Sequence, residues 1–315
     1  MKLLVTGANG FVGRSLCSES VRRGHSTRGA VRTVTTGFDL CERVAVGAVD
    51  LDTNWSEALL GVDVVVHLAA RVHVMKDNAA SPLLEFRKTN VLGSLNLARQ
   101  ASAAGVRRFV FLSSVKVNGE LTQRGQAYDE STMPAPRDAY GQSKQEAEAG
   151  LMEIGLDTGM EIVIVRPPLV YGPGVKANFA ALIRAVRQGW PLPLASVRNQ
   201  RSLVALDNLV DFILTCVTHP HAANQTFLVS DGHDLSTAEL VRGVARAAQV
   251  SPRLFFVPVW VLRGGAALLG KEEAMQRLCG NLQLDIAKAR RLLGWTPLIS
   301  VDEGLRRAVI KASAT

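Results

Sequence analysis

Short apolar, β-branched runs alternate with amphipathic stretches through the first half of the chain. KLLVTG precedes VGRSLCSESVRRG, then STRGAV, VAVGAVDL and VDVVVHLAA follow. A helical NVLGSLNLARQASAAG leads to the strand RFVFLSS, a helix that opens at Tyr140, and EIVIVRPP. This rhythm predicts βαβ units, and continuous apolar runs such as VDVVVHLA predict strands covered on both faces. The fold class read from it is α/β, with a doubly wound parallel sheet. After RPPLVYGPG the texture changes: Pro and Gly become frequent, and helical patterns recur at FAALIRAVRQG and STAELVRGVARAAQ. We therefore expect a first domain over 1–165 with a return segment at about 204–232, carried by RSLVALDNLVDFILTCV and QTFLVSDG. Residues 166–203 and 233–315 are expected to form a smaller, mixed C-terminal lobe.

Composition narrows the partners. The chain has 315 residues, 47% of them hydrophobic, and a net charge of +8, which favours anionic ligands. Its arginines are scattered, and the densest basic stretch, VRRGHSTRGAVR, lacks the interleaved aromatics of a base-stacking surface, so no nucleic acid is expected. The four cysteines are far apart with no Cys-x-x-Cys pair, which reads as reduced thiols in a cytoplasmic protein. The apolar run in MKLLVTGANGFVG is too short for a signal sequence. VPVWVLRGGAALLG is broken by Arg263 and two glycines, so no stable membrane insertion is expected. It reads as a buried or substrate-facing helix, with peripheral membrane contact as the other reading.

Gly7, Gly10 and Gly13 in TGANGFVG sit between the first strand and the first helix, with Asn9, Phe11 and Val12 completing the loop. Small residues there let the chain turn tightly, approach a pyrophosphate closely and aim helix N-terminal N–H groups at it. A plain strand-to-helix turn does not need three glycines at this spacing. In YGQSK, Tyr140 and Lys144 lie four apart and share a helix face. A phenol that ionises near pH 10 is a poor acid-base catalyst at neutral pH, and an adjacent ammonium is expected to lower that value.

These motifs occur in one order with VDL at Val49 to Leu51, HLAA at His67 to Ala70, TNVLG, SSV at Ser113 to Val115, RPPLVYGPG and the late LLGWTP. As a set they resemble the extended short-chain dehydrogenase/reductase superfamily, in its NAD-dependent epimerase/dehydratase family, over nearly the whole chain. The resemblance implies a Rossmann-type fold, with Tyr140 as general acid or base and Ser114 holding the substrate oxygen beside it. It implies that Lys144 also bonds the cofactor ribose, and that Asp50 and Leu51 meet the adenine. Leu68, Ala69, Ala70 and Pro167 are implied to border the cofactor, and Asn90 to orient the catalytic group, although a helix cap is an equal reading of Asn90. NAD-preferring relatives usually carry an acidic residue after the second strand, where this chain has Val31 and Arg32. An arginine can pair with a 2′-phosphate. Arg32, with Arg28 as a second candidate, therefore favours NADP(H); NAD(H) remains open, as does a reading of both as solvated surface arginines.

In the second lobe the resemblance implies a nucleotide-diphosphate sugar held by Asn178 and Arg201, with Pro193 and Leu194 bordering the base. Arg277 is implied as a second diphosphate arginine, although the pattern around it departs from the family's. No metal site is expected; His219 and His221 read as a surface turn, His67 as a wall beside the cofactor, and His73 as a residue bordering the substrate. Val115 and Lys116 stand where dehydratases of the family carry Asp and Glu, which sets dehydration aside. The leading expectation is an NAD(P)H-dependent 4-reductase of a UDP-linked 4-keto-6-deoxy-N-acetylhexosamine in bacterial surface-polysaccharide (O-antigen, lipopolysaccharide) biosynthesis. The alternative is an NAD-dependent UDP-hexose 4-epimerase; a small-ketone reductase and a non-catalytic dinucleotide sensor are lesser ones. The family further implies a homodimer paired through the helices of NVLGSLNLARQ and YGQSKQEAEAG.

Overall fold

A computed structural model describes residues 1–34, 41–72 and 81–311. Its strands are β1 (Lys2–Thr6), β2 (Ser26–Val31), β3 (Glu42–Ala45), β4 (Val64–His67), β5 (Arg108–Leu112), β6 (Glu161–Arg166), β7 (Leu169–Tyr171), β8 (Leu203–Ala205) and β9 (Gln225–Leu228). Seven of them form one sheet in the order β3-β2-β1-β4-β5-β6-β9, and every pairing in it is parallel. Successive side chains of a strand point to opposite faces. Thus Leu3, Val5, Val64, Val66, Val163 and Val165 face one core, against the helices Phe11–Arg22 and Leu206–Thr218. Leu4, Val65, Phe109, Phe111, Ile162 and Ile164 face the other, against Ser94–Ala103 and Ala139–Thr158. Burial on both faces is why these strands read as continuous apolar runs.

Strand order reverses between β1 and β4, and a crevice opens at such a switch beyond the strands' carboxyl ends. The second lobe is built on the parallel pair β7-β8 and a third core in which Phe179, Ile183, Val241, Val244 and Leu305 meet. The helix Thr237–Ala247 in it begins with a full capping box, Ser236 against Glu239.

Three expectations need correction. VAVGAVDL is strand only as far as Ala45, because the chain turns at Gly47 with φ 69°. The helix of NVLGSLNLARQ begins earlier, at Pro82, and passes through a π-helical segment, Arg87–Gly93. The stretch around the helix Val259–Leu268 is not buried: no residue of that helix is. His73 lies outside the described residues.

Candidate active site

The glycine loop has the shape an anion needs. Gly7 adopts φ 64°, and its carbonyl accepts the Gly10 N–H at 2.9 Å. A Cβ on Gly13 would run into that same carbonyl oxygen and lie 2.8 Å from Ala8 Cα, so the third glycine is required for the turn to close. The helix Phe11–Arg22 then starts with neither a side-chain cap nor an acidic residue in its first turn. Its leading N–H groups are left for a ligand, and a pyrophosphate fits them. Leu68 and Ala69 border the loop: their N–H groups donate to Thr6 Oγ1 at 3.1 Å, and Ala69 N would sit 3.1 Å from a Cβ on Gly7.

The residues expected to meet the adenosine differ in their surroundings. Asp50 is held in a turn in which its Oδ1 accepts from Thr53 Oγ1 at 3.0 Å, and Leu51 is half exposed. Arg32 is exposed just beyond β2, with no hydrogen bond or ion pair among the described residues. Arg28 is a structural residue instead. It is 8% exposed, pairs with Glu42 at 2.8 Å and donates to the carbonyls of Glu57, Ala58 and Leu60, which removes it from cofactor selection.

The three residues expected to be catalytic, Ser114, Tyr140 and Lys144, come together where β5 ends. Ser114 caps a short turn after β5, its Oγ accepting the Lys116 N–H at 3.2 Å. Asp138 caps the helix Ala139–Thr158 through the Gly141 N–H at 2.7 Å and also pairs with Lys116, which fixes the helix start and so the Tyr140 ring. Burial pushes the Tyr140 phenol up to about 12, the Asp138 carboxylate adds to the rise, and the nearby Ser114 hydroxyl pulls it back. The expected lowering by Lys144 is therefore absent here. The lysine is itself buried, with its Nζ donating to Leu112 O at 2.8 Å and lying 4.2 Å from the centroid of Phe111. Burial drops its ammonium to about 7, against a smaller upward pull from Glu148.

Two supporting networks lie beneath. Thr6 Oγ1 already accepts two N–H groups, so its proton goes to His67 Nδ1 (2.7 Å); His67 Nε2–H donates to Ser94 Oγ (2.9 Å), which donates to Asn90 O. Burial holds this imidazole neutral, near 3. Asn90, inside the π-helical segment, is not a helix cap. Its amide donates to Arg71 O and to Ser143 Oγ, each at 3.0 Å, and accepts the Arg71 N–H, clamping the loop after β4 to the Tyr140 helix. In the second network Arg166 grips Glu148 with two nitrogens, at 3.0 and 2.5 Å, and reaches Asn118, while Ser113 also donates to Glu148. Pro167 is buried and its carbonyl accepts the Val115 N–H, tying β6 to the Ser114 turn. Glu148, one turn beyond Lys144 on an otherwise apolar face, was the available sequence signal for this network; nothing local announces the His67 chain.

Across the crevice, Arg201 is tied to Gly280 O at 3.1 Å. Burial lowers its guanidinium, Glu120 opposes that, and the charge of Arg277 adds to the lowering. Arg277 is part exposed and pairs with Glu273 at 3.2 Å. Asn178 is exposed in the first turn of the helix Ala177–Arg187. Pro193 is half-buried, whereas the Leu194 side chain belongs to the lobe core, leaving only its backbone to border a ligand.

A glycine turn shaped for a pyrophosphate at the switch point, with serine, tyrosine and lysine beside it, fits a dinucleotide-dependent enzyme of the extended short-chain dehydrogenase/reductase type. The sequence model of the NAD dependent epimerase/dehydratase family matches residues 3–230, and the chain belongs to that family. It is 47% identical over 309 residues to a UDP-glucose 4-epimerase of Vibrio cholerae, covering 97% of this chain and 93% of that one. It is 27% identical to a GDP-6-deoxy-D-mannose reductase of Pseudomonas aeruginosa, over 97% and 95% of the two chains. Among solved structures it resembles UDP-glucuronic acid 4-epimerase from Bacillus cereus in complex with NAD, with a TM-score of 0.81 at 19% identity over 100% of this chain and 99% of that one.

Proposed function

We propose that the protein interconverts UDP-hexoses at C4, as a 4-epimerase that keeps an NAD through the cycle. The observation that carries this reading is the convergence, at the carboxyl end of the sheet that also carries the glycine loop, of Ser114 in the turn after β5 with the helix bearing Tyr140 and the buried Lys144, whose Nζ donates to Leu112 O. A bound nicotinamide supplies the hydride acceptor and donor. Tyr140, once ionised to the phenolate, takes the proton of the C4 hydroxyl and later returns it, Ser114 holds that oxygen beside the ring, and Lys144 lies beneath the helix start. The two guanidiniums pair with the diphosphate of the sugar nucleotide. The 47% likeness to a 4-epimerase supports epimerisation over net reduction. Incubation with UDP-glucose and no added cofactor is expected to yield UDP-galactose; protein that carries nicotinamide yet leaves UDP-glucose and UDP-galactose unchanged would refute it.

A second reading, the NADPH-consuming 4-reductase of a UDP-4-keto-6-deoxy-N-acetylhexosamine in surface-polysaccharide synthesis, draws on two observations. Arg32 stands exposed just beyond β2, with a guanidinium that can pair with a 2′-phosphate, and Tyr140 is a neutral phenol, the form that donates a proton to a ketone-derived oxygen. Stoichiometric loss of NADPH absorbance with that ketosugar is its test.

A further inference from the structure

The helix Val259–Leu268 wears its apolarity on the outside. Val259 and Leu262, one turn apart, touch the lobe core. Trp260, Val261 and Leu268 fall on the opposite side of the helix and are 76%, 40% and 90% exposed. Leu269 and Phe256, both 72% exposed, extend the surface at either end, and Phe255 is half exposed. Trp190 joins them, because Leu192 exchanges backbone hydrogen bonds with Arg253 and Phe255. Of the chain's four tryptophans, Trp55 and Trp295 are buried; the other two both lie here.

Charge identifies the occupant. From Val250 to Lys271 the charged residues are Arg253, Arg263 and Lys271, all exposed; acidic side chains resume only at Glu272. Indole and phenyl rings favour the headgroup depth of a bilayer, and flanking cations favour anionic headgroups. A second copy packed on this face about a two-fold axis would bring the same cations against each other. We propose that segment 253–271, with Trp190, docks the protein peripherally on an anionic lipid bilayer. A helix of this length, about 15 Å, lies in the interface and does not span it.

The test uses the full chain and vesicles of phosphatidylcholine with or without phosphatidylglycerol. Co-sedimentation is expected to be at least tenfold stronger on the phosphatidylglycerol vesicles and to weaken at high salt, with a blue shift of tryptophan emission on binding. The double variant Trp260→Ser/Leu268→Ser is expected to lose at least tenfold in vesicle binding while keeping its Tm. Arg263→Glu is expected to weaken binding to the anionic vesicles alone. Absence of wild-type binding to phosphatidylglycerol vesicles, or undiminished binding by the double variant, would overturn the assignment. So would a lipid-free dimer that the double variant turns into monomer, because the face would then be a self-contact.

Discussion

Replacing Lys144 with Met separates what the lysine does for the reaction from what it costs the fold. The side chain is 1% exposed, and its ammonium sits at about 7 instead of the ordinary 10.5, chiefly through burial. The unfolded chain therefore holds this proton more tightly than the folded one. The cost is present in full below pH 7 and fades as pH rises from 7 to 10.5. At ~1.36 kcal/mol per pH unit that span corresponds to about 5 kcal/mol. Methionine fills similar volume without the charge, but it leaves the Leu112 carbonyl without its donor, a loss of about 1–3 kcal/mol. The net expectation at pH 6 is a variant more stable by about 3 kcal/mol, a Tm gain of about 5 to 10 °C for a chain of this size. Near pH 10 the sign reverses, because only the lost hydrogen bond remains. Scanning calorimetry of both proteins at pH 6, 8 and 10 reads the crossing, and an activity assay confirms loss of turnover. A variant less stable than wild type by the same margin at every pH would refute the reasoning, since Lys144 would then pay no desolvation cost.

Tyr140→Phe is expected to cut turnover by about 10²–10⁴-fold with nucleotide binding nearly unchanged, measured by steady-state kinetics and calorimetric titration. Arg32→Asp should weaken NADPH at least about tenfold more than NADH; equal effects in fluorescence titrations would remove Arg32 from cofactor selection. Glu148→Gln strips the buried Arg166 of its counter-charge, so a loss of about 3–5 kcal/mol is expected in urea unfolding. Pairing through the helices Ser94–Ala103 and Ala139–Thr158 predicts a dimer by light scattering at micromolar concentration; a monomer would count against it.

The central strands were legible because burial on both faces leaves β1, β4, β5 and β6 unbroken apolar runs. β3 was overread, since VAVGAVDL keeps its apolarity past Gly47 while the chain has already turned. Spacing placed Tyr140 and Lys144 on one face, but not the direction in which the phenol shifts. That depends on tertiary surroundings, Phe86 beside the ring and Phe111 beneath the ammonium, which no local pattern encodes. Arg28 and Arg32 look alike in sequence, and only the fold sends one beneath the carbonyls of residues 57–60 and leaves the other in solvent. Apolarity likewise cannot say which surface covers it, and so VPVWVLRGG read as a buried or substrate-facing helix.

The most direct measurement follows deuterium at C4. Protein incubated with UDP-[4-²H]glucose should give UDP-galactose that retains the label at C4, seen by NMR and mass spectrometry, with no lasting gain of nicotinamide absorbance. Label lost to solvent during interconversion, or no interconversion by protein that holds its nicotinamide, would contradict hydride return from a retained cofactor at the Ser114–Tyr140 site.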